Sequence, residues 1–97
     1  MNDTRTMSGP AEAVCRLLES LWDAGQRPDA NQLLSEAGIR DAAETAKVLA
    51  LDQWRRWHAG ERVRAEDYLE RFPQVAAAPE AALELIYGEM LVREELG

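Results

Sequence analysis

Cys15 and His58 are the side chains best suited to nucleophilic chemistry here, and each is the sole residue of its type. A thiol becomes a strong nucleophile when a nearby histidine takes its proton. These two lie far apart in the sequence and could meet only through the fold. Cys15 borders the apolar side of a helical stretch. His58 stands near a helix C-terminus, where cationic character suits the dipole. A packed thiol and a half-exposed imidazole are therefore expected. Carboxylates are paired at Glu80 and Glu84, four apart, and at Glu94 and Glu95. On a helix, such groups form a solvated face more often than an acid–base pair or a metal site. Glu89 sits between apolar flanks and can pair with Arg93 one turn on, a contact worth about 0.2–0.5 kcal/mol. No catalytic, cofactor-binding or metal-ligating residue is expected from these patterns.

Arg55, Arg56, Arg62 and Arg64 surround Trp54 and Trp57. Arginine beside aromatic residues can signal single-stranded nucleic acid. Here Asp52, Glu61, Glu66 and Asp67 interleave them and cancel the charge. The tryptophans are read as core. The four arginines are a possible protein-contact patch, because Trp and Arg are favoured at interfaces.

The formal net charge is -7, and both halves of the chain carry an acidic excess. That charge disfavours nucleic acid and anionic membrane surfaces as partners. One cysteine can form neither an internal disulfide nor a thiolate zinc cluster. The absence of a long apolar run or of a signal-peptide pattern, together with the single thiol, fits a cytoplasmic setting.

With 97 residues, 46% of them hydrophobic and mostly Ala and Leu, the chain suits one small helical domain. The pattern predicts an all-α, compact orthogonal bundle of four to five short helices, over about 10–24, 29–37, 41–59, 65–72 and 79–96. Residues 1–9 are expected to be a disordered lead. Ser8 is a candidate cap and Pro10 a suitable first helical residue. Val14, Leu17, Leu18, Leu21 and Trp22 form the expected buried stripe of the first helix, which Gly25 stops. Leu33, Leu34 and Ala37 line the second. Ala46, Leu49, Ala50, Trp54 and Trp57 line the third, widened by Leu51. Tyr68, Leu69 and Phe72 line the fourth, which ends before Pro73. On the last helix Leu83, Ile86, Tyr87, Met90 and Leu91 form the main face expected in the core. Leu85, Val92 and Leu96 form a second apolar side, read as a possible partner surface. A helix apolar on two sides usually touches two neighbours.

The stretch from Asp52 onward resembles a region found ahead of the kinase domain in many planctomycete-type bacterial serine/threonine protein kinases. The resemblance rests first on Asp52, Gln53, Trp57, Gly60 and Glu61, and then on Tyr68, Leu69, Arg71, Phe72 and Pro73. It continues through Pro79, Glu80, Leu83, Leu85, Ile86, Tyr87 and Glu89 to Arg93, Glu94, Glu95 and Gly97. It covers about half the chain. Ala78 departs from the pattern, where an aspartate would be the better helix cap. The resemblance implies a regulatory or adaptor module fused to a kinase, and Gly97 is expected to be a boundary beyond which a further segment follows. No kinase residue carries over. The glycines are scattered and Lys47 is the only lysine, whereas a kinase needs a Gly-rich loop, a strand lysine and two aspartates.

The expected function is thus a non-catalytic interaction domain of a bacterial signalling protein. Its partner would be a protein: the attached kinase domain, a second copy, or another signalling protein. The alternative is a stand-alone acidic adaptor or inhibitor that binds a basic partner in trans.

Overall fold

The computed structural model describes residues 9–96. The expectations for residues 1–8 and for Gly97 lie outside them. Among the described residues there are six helices: α1 Pro10–Asp23, α2 Ala30–Ala37, α3 Ala42–His58, α4 Ala65–Arg71, α5 Pro73–Ala76 and α6 Pro79–Leu96. No strand occurs among these residues, and the all-α bundle is as expected. None of the helices is long and apolar enough to cross a membrane.

Local chemistry sets most boundaries. The Asp29 side chain accepts from the Asn31 and Gln32 amides at 3.0 and 3.4 Å, and Asp41 accepts from the Glu44 amide at 3.1 Å. These bonds satisfy amides that the first turn of a helix leaves without partners. Gly25 and Gly60 follow α1 and α3 with φ of 85° and 93°, values that a side chain would disfavour.

Two helix starts are completed from elsewhere in the fold. The Ala11 amide of α1 donates to Glu44 Oε1 on α3 at 3.3 Å. The Ala65 amide of α4 donates to Glu89 Oε1 on α6 at 2.8 Å. Gly9, placed in the disordered lead by sequence, is instead the cap position of α1. A Cβ there would lie 3.0 Å from Glu44 Oε1, so its bareness admits the capping carboxylate.

The sixth helix is α5, which the sequence pattern presents as a turn. Phe72 is pulled out of helical geometry, at φ -125° and ψ 77°, by the proline after it. Pro73 then opens a new helical turn as its first residue. That turn places Val75 fully inside the core.

The long helices α3 and α6 form the main pairing, and α1 flanks α3. Gln53 meets Leu85 and Gly88, and His58 meets Glu95, so α3 and α6 run in the same direction. Helices α4 and α5 carry the chain back between them.

The core contains the expected Leu18, Leu49, Trp57, Tyr68 and Phe72. Several other expectations need correction. Leu17 is exposed, because α1 turns the Ala11, Val14 and Leu18 stripe inward and Leu17 falls beside it. Leu21 and Trp22 are half-buried at the end of that stripe, Leu69 is half-buried at the core edge, and Ala37 is exposed. Trp54 is exposed, because the buried arc of α3 swings towards Thr45, Val48, Asp52 and Gln53.

The largest correction concerns α6, whose expected rotation is reversed. Leu83, Ile86, Tyr87, Met90 and Leu91 point outward, whereas Leu85 and Val92 are buried with Ala81. Leu85 and Val92 are therefore core and not partner surface. Leu96 shares their side but lies at the last residue of the helix, where the neighbours end, and it stays 42% exposed.

Candidate interaction surface

The rotation of α6 is fixed by polar contacts on its narrow inner side. The Gln53 amide nitrogen, on a residue 1% exposed, donates to the Leu85 carbonyl at 3.2 Å. Its amide oxygen lies 2.7 Å from where a Cβ of residue 88 would be, so only glycine leaves it room. Glu89 bonds the start of α4 with one oxygen and Arg93 with the other, at 2.7 Å. Arg93 also lies over the Trp57 ring, 5.3 Å from its centre. A buried amide or carboxylate without partners is costly, so these contacts hold the helix at one angle. Small residues let the backbones approach, and the bulky apolar residues are left outside.

The outward face follows a regular spacing. Leu83, Ile86, Tyr87, Met90 and Leu91 stand at i, i+3, i+4, i+7 and i+8. They are 60, 46, 57, 49 and 50% exposed. Together they leave apolar surface on the order of several hundred Å² open, the scale at which an exposed patch marks an interaction site. Trp54 adds to the open apolar surface near the end of the helix. Its ring packs against His58 at 3.9 Å between centroids, and His58 Nε2 lies 3.6 Å from Glu95 of α6.

The arginine patch divides in two. Arg55 bonds Glu19 at 2.7 Å and also Asp23, tying α3 to α1. Arg56 donates to Asp52 at 2.9 Å, to Glu61 at 3.0 Å and to the Pro28 carbonyl at 3.0 Å. It also lies over the Trp22 ring. These two arginines are internal fasteners and not free contact groups. Arg62 and Arg64 are exposed, with Arg62 over the Trp57 ring and Arg64 3.7 Å from Glu66.

Beneath Arg56 lies a polar group that the sequence pattern does not reveal. Asp52, 2% exposed, accepts from Arg56 and from the Tyr68 hydroxyl at 2.7 Å. Burial first, and then the Asp52 charge, pushes the Tyr68 hydroxyl far above its ordinary range, so it stays a donor. The only hint in the sequence is that Asp52 and Gln53 interrupt an otherwise apolar stripe.

Cys15 and His58 are not brought together. The ring nitrogens of His58 face the Trp54 carbonyl at 2.9 Å and Glu95. Cys15 contacts the Lys47 carbonyl at 4.0 Å. Burial, followed by Glu12 and Glu19, raises the thiol pKa, the opposite of the shift that activates a nucleophile. No cluster of three or more metal-ligating side chains occurs among the described residues. Comparison with known protein families, curated proteins and solved structures gives no match.

Proposed function

We propose that this chain is a non-catalytic helical interaction domain whose contact surface is the outward face of α6. The observation that carries this reading is the row of large apolar side chains from Leu83 to Leu91, open on a helix whose opposite side is firmly anchored. A helix apolar on two sides buries one within its own domain and offers the other to a neighbour.

We further propose that the domain precedes the catalytic part of a cytoplasmic bacterial serine/threonine kinase. The resemblance from Asp52 onward supports this. Its residues also form one connected unit: Asp52 with Tyr68, Gln53 with Leu85, and Glu89 with Arg93. The contact would then be with the attached kinase or with another signalling protein.

The gene downstream of the Gly97 codon gives the first test. A frame that continues into a Gly-rich loop, a lysine-bearing strand and Asp-Phe-Gly is expected, and a stop codon would end the kinase reading. In such a parent, deletion of residues 1–97 should change kinase activity, assembly or partner binding. If all three are unchanged, the domain has no regulatory or adaptor role.

A further inference from the structure

The charge around the outward face of α6 specifies its partner. The helix carries Glu80, Glu84, Glu89, Glu94 and Glu95 against a single arginine, Arg93. Arg93 is already bonded to Glu89. Glu80, Tyr87 and Glu94 are spaced by seven residues, so they lie along one line with a carboxylate at each end. Glu84 stands seven residues before Leu91 and borders the same side. Glu80, Glu84 and Glu94 are exposed and form no ion pair among the described residues.

From this pattern we infer that the face docks a basic amphipathic helix of a protein partner. Its apolar stripe would cover Leu83, Ile86, Tyr87, Met90 and Leu91, and Lys or Arg at both ends would meet Glu80, Glu84 and Glu94. The inference rests on the reading of α6 as the contact surface and adds the chemistry of the partner.

A second copy fits poorly. In antiparallel pairing Glu80 of one copy meets Glu94 of the other, and in parallel pairing like residues meet. Either arrangement opposes carboxylates across a partly desolvated contact. Anionic lipid is repelled by the same carboxylates. Recognition of an amphipathic helix through i, i+3, i+4 and i+7 anchors matches the spacing on α6.

The test uses the whole 97-residue chain and two synthetic helical peptides with one leucine stripe, bordered by lysine in one and by glutamate in the other. Titration calorimetry gives affinity, and NMR shift mapping gives the site. The lysine peptide should bind at the outward residues of α6, about tenfold or more tightly than the glutamate peptide. Raising salt from about 50 to 300 mM should weaken it several-fold. Leu83→Ser/Met90→Ser should abolish binding. Glu80→Gln/Glu84→Gln/Glu94→Gln should weaken it several-fold and remove most of the salt dependence. All of these positions are exposed, and unchanged circular dichroism would confirm folding.

Equal binding of both peptides at α6, or self-association of the protein that Leu83→Ser/Met90→Ser abolishes, overturns the basic-helix inference and keeps α6 as a protein contact. Binding that maps away from α6, or α6-dependent binding to phosphatidylglycerol vesicles, overturns both. So does a face that engages neither peptide nor a second copy.

Discussion

The two sides of α6 differ in what holds them. The inner side is poor in carbon: Ala81, Leu85, Gly88 and Val92 are its core contacts, and Gln53 and Glu89 bond across it. The outer side carries Leu83, Ile86, Tyr87, Met90 and Leu91, yet these stay 46 to 60% exposed. Apolar content alone would rotate the helix by half a turn. The contrast shows that steric fit and satisfied polar groups can outweigh the number of apolar side chains. Burial stabilises only where a matching surface exists. A bulky face set against Gln53 and the start of α4 would leave an amide and a carboxylate without partners.

The two tryptophans of α3 give the largest test of the contrast between inside and outside. Trp57 is 4% exposed and its indole donates to the Val63 carbonyl at 2.8 Å, whereas Trp54 is 44% exposed. Trp57→Ala should destabilise the domain by about 3–5 kcal/mol, and Trp54→Ala by under about 1 kcal/mol. Urea denaturation followed by circular dichroism measures both. Equal losses would mean that Trp54 packs as deeply as Trp57.

On α6 itself, Leu85→Ala should cost about 2–5 kcal/mol. Leu83→Ala should stay within about 0.5 kcal/mol. Reversal of this order in thermal or urea melts would return the helix to the rotation that its apolar pattern suggests.

Those two leucines also mark the limit of what the sequence makes legible. Helix positions follow from Asp41 as a cap, from Gly25 and Gly60 as stops, and from apolar spacing, because all of these act locally, whereas the Asp29 cap emerges only in the structure. Which side of α6 turns inward depends on Gln53 and Glu89 meeting partners on other helices. Spacing within one helix does not record that. The same holds for α1, whose start is completed by Glu44 from α3, and for α5, where Pro73 both ends one helix and opens another. Of the candidate contact residues, Arg62 and Arg64 are outside as read. Arg55 and Arg56 are drawn into pairs by acidic residues of α1 and by Asp52. The face that stands open was legible as apolar, but its exposure was not.

Glu89 offers a finer test, because it acts on a helix other than its own. Glu89→Ala removes the acceptor for the Ala65 amide and the partner of Arg93. Loss of a cap costs about 0.5–2 kcal/mol. Hydrogen exchange should speed up at the start of α4, while the start of α1, held by Glu44, keeps its protection. Faster exchange at both would point to general loosening of the domain.

The smallest effect tests the tightest spot. Gly88→Ala gains about 1 kcal/mol of helix propensity. It also pushes a methyl into the Gln53 amide oxygen, 2.7 Å away. Gln53 is buried and bonded to the Leu85 carbonyl, so moving it breaks that bond, at about 1–3 kcal/mol. The net expectation is a loss of about 1 kcal/mol. In a Gln53→Ala background the obstruction is gone, and the same Gly88→Ala change should stabilise the domain. The effect of Gly88→Ala therefore changes sign between the two backgrounds, a coupling that a merely flexible glycine would not produce. If Gly88→Ala has the same effect in both backgrounds, Gln53 does not set the approach of α3 and α6, and the anchor of the inner side must lie with Glu89 alone.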